Sequence, residues 1–453
     1  MIKWLRNTTR YMRGATTGGA TASIVRKRRA SIMVLTTWII VVLTLLATSL
    51  VFEVQISSKL TLLHREQFQA YYLAKSAIGT GMVHLQNDLL MDFAENPNQR
   101  ADSFADVWAQ PDRRDNDIQV PINDRDKLRT FQLEVLDEES KIPINNAQVK
   151  LLKALLEFYG FEAPDSDDVA AAIVDYRDQD DLASASPGEK ENEYYSAAMG
   201  QRITADMTVD QLSYRSANEQ MVSTDQLLEV YGLSENPIIY YGYDPNARSE
   251  KALERRNDAA EGRTIRERSR RKKSNEILPM KDVVTVTHRT GRVNMNTAPF
   301  EVLAILLHAA TDFASIDVAK TTAQSIVDFR GGPGTRKKAD PEEAFKSLQD
   351  LAKVPGVDIN SINQLAALGV QPVFSSDTFR VIGIGRTPKA VRTLQAVVER
   401  KMESFNPEDA RLASNKGRAV RTEKRTARKR GGNDEAADGN IRIPALRVLQ
   451  WIE

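Results

Sequence analysis

Residues 30–52 read ASIMVLTTWIIVVLTLLATSLVF, twenty-three positions without a charge. At 1.5 Å per residue a helix of that length spans about 34 Å, enough to cross a hydrocarbon layer about 30 Å thick. Before it stand eight basic residues, Lys3, Arg6, Arg10, Arg13, Arg26, Lys27, Arg28 and Arg29, with no acidic one. After it stands Glu53. The positive-inside rule therefore orients a single span with its N-terminus in the cytoplasm. A secretory signal peptide would have a shorter apolar core and a small-x-small cleavage site after it, and the stretch has neither.

The pattern does not stop at the membrane. Val54, Ile56, Leu60, Leu63, Phe68, Tyr71, Tyr72, Leu73, Ile78, Met82, Val83, Leu85, Leu89 and Leu90 continue at helical spacing, and no proline intervenes before Pro97. The spacing predicts one helix of about 60 residues, half in lipid and half amphipathic. Such a helix suits a subunit that packs its apolar half against other helices of the same shape.

Composition narrows the function. Lys and Arg number 62 against 61 Asp and Glu, so no overall field draws in nucleic acid. With no cysteine in 453 residues there is no disulfide, zinc-thiolate site, iron–sulfur cluster or thiol nucleophile. The four histidines, His64, His84, His288 and His308, are too scattered for a local His-x-x-x-His metal pair or a dense acid–base site. No P-loop, nucleophile elbow or HExxH occurs, and the expectation is a protein that is not an enzyme.

Farther on, Asp117–Val120 and Arg129–Leu136 read as strands, the second with Phe131, Leu133 and Val135 on one face. The chain then turns helical and repeats itself. SKIPINNA at 140–147 matches GRVNMNTA at 291–298, and each precedes an apolar helix. AIVDYRD at 172–178 matches SIVDFRG at 325–331, and STDQLLEVYGL at 223–233 matches SLQDLAKVPGV at 347–357. The order is the same both times, which predicts a duplicated helical unit whose first copy holds extra residues, the acidic stretch 178–193 among them. Residues 246–276 and 405–440 are Arg-rich, without apolar periodicity, and read as loops. DTFRVIGIG at 377–385, residues 391–402 and IPALRVLQWI at 443–452 return to strand patterns. Strands on both sides of the helices predict an α+β body with a helical insertion.

Two motifs carry possible chemistry. The N-x-A turns and the V-P-G-V turn resemble helix–hairpin–helix units, which in DNA-binding versions offer backbone N–H groups to a phosphate. Here Asp358 and Ser234 stand where the second glycine belongs, and Asp358 would repel a phosphate. A membrane-anchored DNA-binding protein is thus the alternative function, but no nucleic acid is expected as partner. DYRDQDD at 175–181, followed by Glu189, Glu191 and Glu193, gathers hard oxygen donors in one loop. Calcium, taking six to eight oxygens in irregular geometry, is the fitting ion, and a plain acidic surface loop is the other reading.

The basic leader, the junction RRA–SIMVL, the half-apolar helix and the small sheet resemble a type IV pilin-like subunit. The stretches VNMNTAP, AIVDYRDQDD, ENEYY, QLLEVYGL, IIYYG and RVLQWIE resemble more narrowly the K-type minor pseudopilin (GspK) family of the type II secretion system. The resemblance implies a pilin-like body of a long helix and a small antiparallel sheet. It also implies an inserted all-α domain of two SAM-like or helix–hairpin–helix-like units. The implied division is a leader at 1–30, a helix at 31–95, a body at 96–139, a first helical unit at 140–245, and a basic loop at 246–280. A second helical unit at 281–372, with a strand preceding its helices, follows, then sheet at 373–404, a loop at 405–440 and a last strand at 441–453. A prepilin peptidase would cut between Ala30 and Ser31, where the family has glycine before the cut, and the new N-terminus would be methylated. Leu35 stands where most pilins carry a glutamate that neutralises a neighbouring terminal ammonium, a residue that K-type members lack. Calcium would be held by Asp178, Asp180, Asp181 and Glu193, with Glu191 as a substitute. The implied function is to initiate or cap the periplasmic pseudopilus tip for export of folded proteins across the outer membrane. The partners would be the other minor pseudopilins (GspI, GspJ and GspH types) and the major pseudopilin. The chain would sit in the bacterial inner membrane with its bulk in the periplasm.

Overall fold

The computed structural model describes residues 22–96, 99–109, 118–119, 129–201, 214–242, 277–287, 290–333, 335, 337, 339–405 and 441–452. His288, both Arg-rich loops (apart from the edges at Phe405 and 277–280) and the leader before Ala22 lie outside the described residues. The chain forms two compact units, 1–65 and 66–453. Helix α1 (Ala22–Glu95) begins in the first and ends in the second. At 74 residues it is longer than the sequence pattern predicts, because nothing between Ala22 and Ser31 breaks a helix. From Ile32 onward α1 is long and apolar enough to cross a membrane.

In the second unit, α1 lies on a five-stranded antiparallel sheet. Its strands are β1 (Ile118–Gln119), β2 (Thr130–Asp137), β7 (Thr378–Arg386), β8 (Val391–Phe405) and β9 (Ile441–Ile452), in that spatial order. Leu73, Ala74, Ala77, Ile78 and Leu85 of α1 meet Phe131, Leu133 and Val135 of β2, Phe379 and Val381 of β7, and Leu394, Ala396 and Val398 of β8. The helix residues recur every three or four positions and the strand residues every two, so each element turns one apolar face to the other. Contact is backbone-close at two points. A Cβ on Gly383 or Gly385 would collide with the carbonyl oxygen of Ala74 or Ala70, so β7 tolerates only glycine there.

Asp137 at the end of β2 pairs with Phe379 of β7. Everything from 138 to 377 therefore leaves and re-enters the sheet at one place. Within this insertion run β3 (Ile142–Pro143), α2 (Val149–Phe158), α3 (Asp165–Arg177), α4 (Glu191–Gln201) and α5 (Pro237–Tyr241). The short α6 (Met280–Val283), β4 (Val284–Thr285), β5 (Arg292–Asn294), α7 (Phe300–Ala310) and α8 (Ile316–Arg330) follow. Last come α9 (Leu348–Leu351), α10 (Ile359–Gln364) and β6 (Gln371–Val373). The expectation of an all-α insertion needs correction. β3 pairs with β4 and β5 with β6 in two short parallel ladders. The IP of SKIPINNA and the RVN of GRVNMNTA are extended before their N-x-A turns, and extended backbone must find partners for its N–H and C=O groups.

Both helix pairs share one core, in which Leu151, Leu155 and Ile173 join Leu303, Leu306 and Ile326. α7 is buried from Glu301 to Ala310, whereas α2 keeps Val149 exposed. Each pair ends in the same device. Arg177 donates to the carbonyl of Ala147, and Arg330 to those of Met295 and Ala298, so each arginine ties the end of its second helix to the preceding N-x-A turn. Burial pushes Arg177 down to about 10 and Arg330 to about 9.

The base of the insertion is polar. Asp137, buried, accepts from Thr297 Oγ1 and Ser376 Oγ at 2.5 Å, from Asn294 Nδ2 at 3.2 Å and from the Glu139 N–H at 2.8 Å. Glu138 accepts from Thr285 Oγ1 of β4 at 2.7 Å, Lys141 Nζ at 2.9 Å and Arg380 Nε at 2.5 Å. These bonds join the end of β2 to both parallel ladders.

Candidate cation site

Helix α3 stops at Asp178, whose backbone is extended while its N–H still donates to Val174 at 3.0 Å. The loop beyond closes on itself. Leu182 and Lys190 form an antiparallel bridge, Ala183 N–H donates to Glu189 at 2.9 Å, and Glu191 N–H to Asp181 at 3.3 Å. That closure brings the first residue of α4, Glu191, back beside the end of α3.

Asp178, Asp180 and Glu191 each offer a carboxylate oxygen, all within 4.8 Å of one another. Glu191 is 0% exposed, and neither of its oxygens accepts a well-formed hydrogen bond, the nearby Ser216 hydroxyl donating instead to the carbonyl of Asp175; Oδ1 of Asp178 also has none. Asp175, one turn back on α3, is equally buried. Its Oδ2 accepts from Tyr195 at 2.7 Å and from the Ser184 N–H at 2.9 Å, while its Oδ1 is unpartnered. Burial, then the charges of Asp180 and Asp175, raises Asp178 to about 6. Burial, opposed by the Ser216 hydroxyl and reinforced by the charges of Asp175, Asp178 and Asp181, raises Glu191 to about 7. Buried acceptors without donors are costly, and like charges at this spacing add to the cost. A cation removes both penalties. Calcium sits 2.3–2.6 Å from its ligands, so two oxygens on one ion lie no more than about 5 Å apart, a limit the three carboxylates meet. The residues fit that ion.

The sequence-based ligands divide. Asp178 and Asp180 come together with Glu191, the substitute. Asp181 and Glu193 lie outside this group of three. Asp181 turns outward to Lys190 at 3.7 Å and contributes its backbone carbonyl to the loop. Glu193 is exposed, on the opposite side of α4 from Glu191 and the buried Tyr195. Asp175, which the sequence repeat matches to Asp328, also borders the site. Ala30 and Ser31 lie inside α1, and Leu35 is 60% exposed on it.

The DNA alternative meets a physical obstacle. Asp358 caps α10, its carboxylate accepting from the N–H groups of Asn360 at 3.1 Å and Ser361 at 3.2 Å. The donors a phosphate would take are already filled by an anion.

Comparison with known proteins bears on this same region. Residues 129–238 match the family model of type II secretion system (T2SS) protein K. The match runs from β2 through both helices of the first pair and includes Asp178, Asp180 and Glu191. Among solved structures, the chain is similar to one in the GspK–GspI–GspJ complex of the type 2 secretion system from enterotoxigenic Escherichia coli. The two share 15% identity and a TM-score of 0.46 over 75% of this chain and 94% of the other. None of the curated proteins compared matches the chain.

Proposed function

We propose that this chain, whose residues 129–238 match T2SS protein K, is a non-enzymatic minor pseudopilin of the type II secretion system. The observation that carries the reading is the combination of that match with a long apolar N-terminal helix packed on an antiparallel sheet. The apolar part of α1 anchors the chain in the inner membrane by a single span, N-terminus in the cytoplasm and bulk in the periplasm. Prepilin peptidase cuts between Ala30 and Ser31, and Leu35 leaves no carboxylate to pair with the terminus of a subunit above. The helical insertion, read as two copies of one unit, is the bulk that stops further addition and makes the chain a tip subunit. It sits there with the other minor pseudopilins, above the major one.

Asp178, Asp180 and Glu191 hold calcium, which supplies positive charge to a loop that otherwise faces carboxylate against carboxylate. The unpartnered oxygens of Glu191 and Asp178 support this. The ion's role is structural: it fixes the loop between α3 and α4.

Complementation tests the reading. In a strain lacking the chain, the wild type restores secretion and co-purifies with I- and J-type pseudopilins. A chain without residues 141–372 does neither. Normal secretion by the deleted chain would overturn the tip role. Membrane-extracted protein should begin at Ser31, and Ala30→Gly should speed the cut.

A further inference from the structure

We infer that residues 214–218 form a third wall of the cation site, and that the side-chain oxygen of Asn218 completes the ligand set of Asp178, Asp180 and Glu191. The inference rests on the calcium reading of that site.

The segment Tyr214-Arg215-Ser216-Ala217-Asn218 alternates. Tyr214 and Ser216 are buried and Asn218 half-buried, while Arg215 and Ala217 face solvent. Every inward residue is tied to a part of the site. Tyr214 N–H donates to Ser196 Oγ at 3.0 Å and Ser216 N–H to Asn192 Oδ1 at 2.7 Å, both acceptors on α4. Ser216 Oγ donates to the carbonyl of Asp175 at 2.9 Å, at the end of α3. Asn218 Nδ2 donates to the carbonyl of Asp180 at 2.5 Å, in the acidic loop itself.

That last bond fixes the amide. A carbonyl oxygen can only accept, so the NH2 group must face Asp180 and the Oδ1 must take the other position. There Oδ1 is buried and has no hydrogen-bond partner, as are the oxygens of Glu191 and Oδ1 of Asp178. The backbone of Asn218 is left-handed, φ 50°, a conformation asparagine adopts more readily than most residues. Three carboxylates already supply the negative charge that a divalent ion needs. Calcium takes six to eight oxygens, and a neutral amide oxygen adds a ligand without adding repulsion. The bound ion then joins three stretches of chain (the acidic loop, the start of α4, and 214–218) and so fastens the chain on both sides of residues 202–213.

The test uses the full-length chain in detergent micelles, with calcium affinity from titration calorimetry and melting curves in calcium and in chelator. Asn218→Ala should weaken calcium binding about tenfold and shrink the calcium-dependent rise in Tm. Asn218→Asp keeps the left-handed turn and adds a fourth carboxylate. It should bind calcium more tightly than wild type and melt lower in chelator, widening the gap between the two conditions. If Asn218→Ala lowers Tm equally in calcium and in chelator, with the wild-type affinity, Asn218 is only a turn residue and the inference fails. If the wild type neither binds calcium nor melts differently with it, the calcium reading fails and the inference falls with it.

Discussion

Among the described residues two trios of acids lie close enough to share one cation, and only one of them has an arginine bonded into it. In the body, Asp88 of α1, Asp102 and Asp106 bring their oxygens within 4.8 Å of one another, as Asp178, Asp180 and Glu191 do in the insertion. Into the first trio β8 inserts Arg400, fully buried. It bonds Asp88 at 2.7 Å and also Asp102, and its guanidinium lies 4.6 Å from the ring centre of Phe379. Arg100 stands 3.9 Å from Asp102 and 3.8 Å from Asp92. In the second trio the neighbouring arginine, Arg177, donates to the carbonyl of Ala147 and offsets the charge of Asp178 only in part, and Lys190 reaches only the outlying Asp181. A carboxylate cluster thus says little about binding until its resident cations are counted. Arg400 makes the first trio a joint between α1 and the sheet, whereas among the described residues no arginine or lysine bonds to a carboxylate of the second.

The sharpest way to break this contrast is to remove the resident cation. Arg400→Met should destabilise the protein by about 4 kcal/mol, because it leaves buried carboxylates uncompensated. Denaturant unfolding measures it, and a loss under about 1 kcal/mol would mean that Arg400 is not the counter-ion of the joint. Next in size is the response to added ion. At a hundredfold excess over Kd, calcium should stabilise the wild type by about 2.7 kcal/mol. Asp178→Asn with Glu191→Gln should abolish that gain and Asp106→Asn should leave it intact. The reverse pattern would exchange the roles of the two trios.

A third, smaller effect is pH dependence of the joint. Burial, with the charges of Asp88 and Asp102, raises Asp106 to about 9; burial, with Asp102 and Asp88, raises Asp92 to about 7. Facing them are Asp88 on α1, Asp102 and Arg100 in the following loop, Asp377 before β7, and Arg400 on β8. A carboxyl with a raised folded pKa binds its proton more tightly when folded. Its contribution is full below the unfolded pKa of about 4 and is lost as pH rises through the folded value. In chelator, Tm should therefore fall between pH 7 and 9, and Asp106→Asn should flatten the upper part of that fall. The smallest expected effect is at Glu193. Glu193→Gln should change stability by no more than about 0.5 kcal/mol and leave calcium affinity close to wild type, where Glu191→Gln weakens it strongly.

Which parts of this were legible follows from the length of chain each signal needs. The uncharged run 30–52 and the two N-x-A turns could be read locally, since a helix period or a turn is complete within a few residues. Phe131, Leu133 and Val135 alternate and do face α1. Arg400 also had a signal: it continues the inward parity of Leu394, Ala396 and Val398, where an arginine must find carboxylates. The choice between Glu191 and Glu193 had none, because it depends on where α4 begins. With the helix starting at Glu191, that residue and Tyr195 turn inward and Glu193 turns out. Asn218 is brought to Asp180 by tertiary folding across 38 positions, a distance no local pattern spans.

The pairing of Asp137 with Phe379 sets an order of assembly. β2 leaves the ribosome long before β7 exists, and the two strands can join only once the ends of the chain between them meet. As a flexible loop, residues 138–378 would oppose closure by roughly (3/2)RT ln n, and the search for register would be slow. Once folded, the insertion removes most of that search. Its two ends are held side by side, with the Asp377 N–H donating to Glu139 Oε1 at 3.1 Å. The helical insertion then acts as a template on which the sheet closes, and α1 gains its full platform last. Damage to the α2–α3 or α7–α8 pair should therefore slow the arrival of the native sheet more than it hastens its loss.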